Sequence, residues 1–484
     1  MNIIVIKTDE QRFDTLGCMG NPFIRTPNID RLATQGAVCD NAFCVSPLCV
    51  PSRVSFFTGQ YVHRTGCTSN AHAKHIGIDQ WSFIETLKDN GYAIGLAGKN
   101  HAFKDAYFDR FFDYREEYGH WGKTHGEIRD TDREVRDYRH DEKRPGYNTK
   151  SGMLMEGLIE GPEPFPEEQC MNWRIAEDSA RFVEQHQNRP FFLHMSFPDP
   201  HWPNLACEPY HSMYDPMQMP LDGLEIDWDS HPFAHYVQSQ SSGFDAYNYT
   251  ERAKILAIYY GQITAIDRAV GMLLDKLEEL QLTDETIVVF TSDHGDLAGR
   301  FALISKTKAF YEPLIRIPLI LRIPERAQQG QRIAAQISNI DVMPTIMDAL
   351  GVCGTDAVQG RSFLPVLDGH TDTHRTEIFA EVGSPNPPPP PVPKADYPAY
   401  NRKRCEKDGV FWFTDYTTNG RTAMVRRNNW KYCYYTGDTE ELYDLGTDPI
   451  ELHNLAGRPE HAGKQAELKD RLMDWLLTTP YAKM

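Results

Sequence analysis

The amino-acid sequence predicts an α/β protein with a large, mixed, mostly parallel central sheet flanked by helices and a smaller C-terminal α+β subdomain. Two features lead there. Short apolar runs recur, each ending in a cluster of polar or ionisable residues, and helix-length amphipathic segments separate them. Beyond a proline-rich stretch at Pro387–Pro391, the pattern changes to closely spaced short strands and one closing helix.

The apolar run Ile3–Ile6 opens the chain as a strand and hands over to Lys7, Thr8, Asp9 and Glu10. A helix follows over Asn28–Gln35. The next strand, Ala93–Ala97, ends in Gly98, Lys99, Asn100 and His101, and Gln169–His186 reads as a helix. Phe191–Ser196 runs into Phe197, Pro198, Asp199, Pro200 and His201. Glu251–Leu280 repeats Ile255, Tyr259, Ile263, Ile266, Val270, Leu274 and Leu277 at helical spacing, which marks a buried face. Thr286–Phe290 ends in Thr291, Ser292, Asp293 and His294. In a parallel sheet these carboxyl ends share one edge, where ligands bind.

Between His101 and Glu168 dense charge with scattered aromatics reads as an irregular insertion over that edge, the kind of segment that sets substrate choice. The expected organisation is a larger catalytic unit over residues 1–380, a proline-rich linker over 381–409 and a C-terminal subdomain over 410–484. The linker composition suits polyproline II or loop. The subdomain is expected to hold strands at Trp412–Thr414, Ala423–Arg426, Trp430–Tyr435 and Glu441–Tyr443, closed by a helix at Lys464–Leu477.

Composition narrows the function classes. With 484 residues, 40% hydrophobic and 24% charged, the chain can bury a large core and is too apolar for wholesale disorder. A formal net charge of -18 repels nucleic acid and anionic membrane surfaces, so neither is expected as a partner. Ten cysteines fall far below the roughly 8 to 10% of a disulfide scaffold. Met1–Thr8 lacks a basic leader and no apolar run nears the roughly 18 residues of a membrane span, so a cytoplasmic chain is the expectation.

The most specific segment is Cys49-Val50-Pro51-Ser52-Arg53, continuing to Gly59. A cysteine before proline and a helix-compatible run sits at a helix N-terminus, where the dipole favours an anion and lowers a thiol pKa. Alone, that reads as either a nucleophile or a buried structural cysteine. Asp9, Glu10, Asp293 and His294 supply hard oxygens and an imidazole suited to a divalent cation. Lys99, His101, His201 and Lys306 add groups that transfer protons or balance charge developing in a transition state.

These residues resemble the type I, formylglycine-dependent sulfatases of the alkaline phosphatase superfamily, over nearly the whole chain. The matching motifs are Thr8-Asp9-Glu10-Gln11-Arg12, Thr26-Pro27-Asn28-Ile29-Asp30-Arg31-Leu32, Cys49 to Gly59 and Gly98-Lys99-Asn100-His101. Pro200-His201-Trp202-Pro203, Thr291-Ser292-Asp293-His294-Gly295, Asp341-Val342-Met343-Pro344-Thr345 and Glu441-Leu442-Tyr443-Asp444-Leu445 follow in order. The resemblance implies the fold of that superfamily and hydrolysis of a sulfate monoester. It implies that a maturation enzyme oxidises Cys49 to formylglycine, whose hydrate attacks sulfur and then expels sulfate. Asp9, Glu10, Asp293, His294 and the modified Cys49 would hold one divalent ion, Ca2+ first, with Mn2+ or Mg2+ as alternatives. Arg53 and Lys99 would hold the formylglycine oxygens, His101 would manage the diol proton, and His201 with Lys306 would bind sulfate and protonate the leaving alcohol.

The sequence departs from the commoner pattern at Glu10, where many relatives have Asp or Gln, at His294, where many have Asn, and at Asn100, where Trp is frequent. Lys306 is preferred as the catalytic lysine over Lys308, and Cys44 is given no role. His63 and Arg64 read as structural. A phosphonate monoester or phosphodiester hydrolase shares Cys-x-Pro-Ser-Arg and the Asp-His pair, but those relatives generally lack the lysine and histidine at Lys99 and His101. A third reading is a metal- or ligand-binding protein without turnover. Trp121, Trp202 and Trp228 are available to stack on a sugar, which makes a sulfated carbohydrate the expected substrate class.

Overall fold

The computed structural model describes residues 1–70, 76–141, 147–148, 158–159, 161–221, 227–232, 235, 248–303, 305–326, 329–352, 357–383 and 420–479. Pro387–Pro391 and the strand expected at Trp412–Thr414 lie outside the described residues. In chain order the strands are β1 (Asn2–Asp9), β2 (Ala37–Phe43), β3 (Ala93–Gly98), β4 (Tyr114–Gly119), β5 (Gly122–His125), β6 (Tyr147–Asn148), β7 (Leu158–Ile159) and β8 (Phe191–Pro200). Then come β9 (Thr286–Ser292), β10 (Arg316–Ile317), β11 (Leu319–Arg322), β12 (Gln331–Ser338), β13 (Glu377–Val382), β14 (Thr422–Arg427), β15 (Trp430–Tyr435) and β16 (Glu441–Asp444).

Ten of these strands form one mixed sheet, running from β12 and β2 through β10 and β11 to β9, β1, β8, β3, β4 and β5. β10 and β11 run antiparallel to β2, and β5 runs antiparallel to β4. The pairs β1 with β8, β1 with β9, β3 with β8 and β3 with β4 are parallel, as expected for strands joined by helical crossovers. Every residue of β1 is buried. Ile3 and Val5 face a core shared with Phe56, Phe57 and Leu96, whereas Ile4 and Ile6 face one shared with Leu193, Met195 and Ile263. This period of two, apolar on both faces, is the signature of a sheet covered on both sides.

The helix Cys49–Thr58 packs in the first core, and Pro27–Gln35, Met171–His186 and Tyr249–Glu279 pack in the second. Asp267 of the long helix accepts from the backbone N–H groups of Asn28 (3.0 Å) and Ile29 (2.7 Å), satisfying the open donors of the Pro27–Gln35 N-terminus.

The irregular insertion expected between His101 and Glu168 is a correction. It carries β4 as a further parallel strand of the main sheet, the β4–β5 hairpin and the helix Asp130–His140. Its charges are paired within it and with the helix Met171–His186: buried Lys123 reaches Glu116 at 2.7 Å and Asp178 of that helix at 2.9 Å, and Arg115 binds Glu117. A strand whose buried polar groups are paired needs no apolar run, so it leaves none to read.

The second sheet is the antiparallel meander β13–β14–β15–β16. The helix Ala462–Thr478 covers it, burying Leu468, Leu472 and Trp475 against Val425, Tyr432 and Leu442. The boundary expected at residue 380 falls inside β13, so this sheet takes its first strand from the larger unit's side.

Candidate active site

Strand register gathers the polar residues. Asp9 pairs with Pro200, Thr8 with Ser292 and Gly98 with Ser196, so the residues following each strand emerge side by side. Gly98 permits the closeness. Its φ is +118°, and a Cβ there would lie 1.7 Å from the Ser196 carbonyl oxygen. The Lys99 N–H donates to that same oxygen at 2.7 Å. β2 ends at this edge too and leads into the helix Cys49–Thr58, all of whose residues are buried.

Cys49 stands at the first position of that helix. Its sulfur lies 3.5 Å from Asp9 Oδ1, 3.3 Å from His294 Nε2 and 4.0 Å from Asn70 Nδ2. Burial, then Asp9, pushes its thiol up to about 11, so the expectation that the helix end activates a thiolate does not hold. One turn on, Arg53 is wholly buried and donates to Asp293 Oδ2 (2.8 Å), Ser196 Oγ (2.8 Å) and Asp9 Oδ2 (3.0 Å). Lys99 Nζ also pairs with Asp9 Oδ2. Burial disfavours the Asp9 carboxylate, but Lys99 and Arg53 outweigh it and hold its pKa well below the ordinary value.

Asp293 Oδ1 accepts from the N–H groups of Glu10 (3.2 Å) and His294 (2.9 Å). His294 Nδ1 lies 2.8 Å from the Gly295 carbonyl, to which it donates, so Nε2 presents a lone pair to Cys49. The turn at Glu10, with φ +63°, is pinned by Tyr259 of the long helix, whose hydroxyl donates to the Glu10 carbonyl at 2.6 Å.

Lys306, in the loop before β10, pairs with Glu10 Oε1 and lies 2.7 Å from His201 Nε2. Cys49 and Glu10 more than offset burial and raise the Lys306 ammonium pKa above its ordinary value. Lys308 points elsewhere: its Nζ donates to the Gly420 carbonyl at 3.2 Å, beside the small sheet. His201 donates Nδ1–H to the Trp202 carbonyl at 2.5 Å, and Trp202 Nε1 donates to Ser305 Oγ at 2.9 Å. Burial and neighbouring cations hold His101 and His201 well below the usual histidine pKa, hence neutral at pH 7.

Asp9, Glu10, Cys49, Arg53, Lys99, His201, Asp293, His294 and Lys306 therefore meet in one continuous contact network. His101 stands at its rim, with φ +50° and its ring 5.9 Å from that of His120. His63 lies outside it, bonded to Glu381 and packed on Trp475. Cys44 is buried, with its sulfur 3.7 Å from the Leu314 carbonyl. The sequence reading missed His120, in the β4–β5 turn, and Asn70, whose Oδ1 accepts from Val50 N–H at 3.1 Å. His120 follows β4, a strand that no apolar run marks, and Asn70 follows no strand end; neither belongs to a motif, so the rule that found the others is blind to both.

The ligand atoms of Asp9, Cys49, Asp293 and His294 lie within 4.8 Å of one another, and so do those of Asp9, Glu10, Cys49 and His201. Glu10 Oε2 is buried with no hydrogen-bond partner among the described residues. Two carboxylates fixed on their far sides by Arg53, an imidazole with its lone pair free and an unused carboxylate oxygen together fit a divalent cation.

A mixed sheet with a buried metal-binding set and clustered cations at its carboxyl edge is the arrangement of a phosphate- or sulfate-ester hydrolase. The family model "Sulfatase" matches residues 1–352, and the chain belongs to the type I, formylglycine-dependent sulfatase family of the alkaline phosphatase superfamily. An N-acetylglucosamine-6-O-sulfatase of Bacteroides thetaiotaomicron is 26% identical over 97% of this chain and 85% of its own length. An arylsulfatase of Clostridium perfringens is 28% identical, covering 95% of this chain and 91% of its own. In fold, the phosphonate monoester hydrolase of Agrobacterium radiobacter is similar, with a TM-score of 0.78 at 21% identity, covering 99% and 96% of the two chains. The protein is an enzyme, a sulfuric ester hydrolase. Among the described residues, no helix is long and apolar enough to cross a membrane.

Proposed function

We propose that the chain hydrolyses a sulfate monoester of a carbohydrate, using formylglycine made from Cys49 by a maturation enzyme, with calcium as the resident ion. The observation that carries this is the placement of Cys49: buried at a helix N-terminus, between Asp9 and His294, where the cations Arg53, Lys99 and Lys306 converge from three separate segments. Formylglycine supplies an oxygen nucleophile that the protonated thiol does not. A divalent ion held by Asp9, Asp293, His294 and residue 49, with Glu10 or His201 beside them, supplies Lewis acidity toward a sulfate oxygen.

The chain's own residues do the rest. Arg53 fixes Asp9 and Asp293 in one geometry, and Lys99 adds positive charge at residue 49. Lys306 carries a proton next to the accepting Nε2 of His201, so the two form a donor pair for the departing alcohol oxygen. His101, neutral and half-buried, takes the proton at residue 49. Trp202, tied to Ser305, and Trp121, stacked on His140, offer ring faces near this rim, and the Bacteroides relative is named for a sulfated sugar.

The test is the mass of the Cys49 peptide after coexpression with a formylglycine-generating enzyme, with parallel assays on aryl sulfate, sugar sulfates and phenyl phosphonate esters. Loss of one sulfur and two hydrogens with gain of one oxygen, and preference for a sugar sulfate, are expected. An unmodified Cys49 in active enzyme, or preference for the phosphonate, refutes the reading.

A further inference from the structure

His120 lies in the turn joining β4 to β5, and three contacts fix it over the site. Its carbonyl accepts from Arg139 Nη1 at 3.1 Å, and Arg139 is itself held by a buried two-pronged pair with Glu163, at 2.6 and 2.9 Å. Its Nε2 lies 2.8 Å from Lys99 Nζ. Its ring stacks on His201, with 3.8 Å between centroids and 30° between planes. A lysine ammonium only donates, so Nε2 accepts and the ring proton sits on Nδ1, which has no partner among the described residues.

Each contact adds a restraint of a different kind from those already on its partner. Asp9 attracts Lys99, but one ion pair leaves a side chain with four rotatable bonds free to swing about it; a second acceptor sets the direction of Nζ. His201 is held at Nδ1 by the Trp202 carbonyl and at Nε2 by Lys306 and Glu10, and these contacts at the ring edge leave it able to turn about the line that joins them. The face of His120 blocks that turn.

We propose that His120 is a positioning residue for hydrolysis, its lone pair directing Lys99 and its ring face setting the plane of His201. The proposal rests on turnover at residue 49 with His201 and Lys306 protonating the leaving oxygen. Two variants separate the contacts while keeping bulk. His120→Phe retains the ring face and removes the acceptor; His120→Gln retains an acceptor near the Nε2 position and removes the face. The mature, calcium-loaded enzyme is assayed on 4-nitrophenyl sulfate, whose leaving group needs little protonation, and on a simple alkyl sulfate, whose leaving group needs it.

His120→Phe is expected to lower kcat roughly tenfold on both esters, the scale of one lost hydrogen bond to a charged group. His120→Gln should stay within about threefold on the nitrophenyl ester and fall tenfold or more on the alkyl ester, with KM moved less than about threefold in every case. Equal losses by the two variants on both esters, or no loss, overturn the proposal. Failure of the parent reading shows separately, as wild type without turnover or as His201→Asn lacking any leaving-group dependence.

Discussion

Replacing Arg53 with lysine measures what holds the buried acidic pair together. The guanidinium makes three hydrogen bonds of 2.8 to 3.0 Å to Asp293, Ser196 and Asp9, and both ion pairs are wholly buried. An ammonium on an unforked stem reaches at most one of the two carboxylates in that geometry. Lys99 remains on Asp9, so what the substitution breaks is at least one of the two buried pairs that Arg53 makes. Breaking a buried pair by removing one partner costs about 3–5 kcal/mol, a figure that already contains the lost charged hydrogen bond of ~1.5–3 kcal/mol. R53K should therefore unfold in urea with stability lower by about 3–5 kcal/mol when chelator is present, followed by tryptophan fluorescence. Saturating calcium restores positive charge beside Asp293, so the gap between wild type and variant should narrow. A loss below about 1 kcal/mol in chelator, or a gap that calcium leaves unchanged, would refute the reasoning.

Two further outcomes follow. Lys306→Met should lower kcat on an alkyl sulfate by about 100-fold or more, the scale of general-acid catalysis, whereas Lys308→Met should stay within about threefold, since Lys308 bonds the Gly420 carbonyl; steady-state kinetics on the pair decides, and equal losses would reject Lys306 as the acid. Glu441 is buried and accepts from Tyr443 (2.8 Å), Tyr435 (2.7 Å) and Tyr311 (3.0 Å); burial opposes its charge, but His235 and His231 outweigh it and lower its pKa from 4.5 to about 2. A depressed folded pKa gives stability that is present above pH 4.5 and lost as pH falls toward 2, at most about 3 kcal/mol for this group. Urea titrations of wild type and Glu441→Gln should converge over that window, and a gap independent of pH would contradict the assignment.

Strands that end in chemistry were legible because apolar runs and ionisable clusters mark them, and register then brings Asp9, Lys99, His201 and Asp293 together without further information. The helices at Pro27–Gln35, Met171–His186 and Tyr249–Glu279 begin and end within two residues of expectation, because each shows its buried face at helical spacing. β4 escaped because Arg115 pairs with Glu117 and Glu116 with Lys123 of β5, so its polarity mimics a loop. β13 was severed by a boundary drawn at a composition break, although pairing with β14 places it in the small sheet. Between Lys306 and Lys308, the direction of each side chain, toward Glu10 or toward Gly420, is a property of the loop's path that spacing does not encode.

The acidic balance of the chain, -18 overall, bears on the site less than its local arithmetic does. Arg53, Lys99 and Lys306 face the carboxylates of Asp9 and Asp293 and the Glu10 carboxyl, whose ionisation burial opposes and Lys306 favours, while His101, His120 and His201 are held neutral. The protein groups alone are therefore close to balanced and offer an anion little net attraction. A divalent cation held where Asp9, Asp293 and His294 converge would tip that balance positive. Lys99 and Lys306, each paired with one acidic side chain where Arg53 is locked between two, are the cations a bound sulfate ester would draw toward itself. On this account a divalent ion held by Asp9, Asp293 and His294 would do more than polarise a sulfate oxygen: with the carboxylate charge taken up, Lys99 and Lys306 would be left for the substrate.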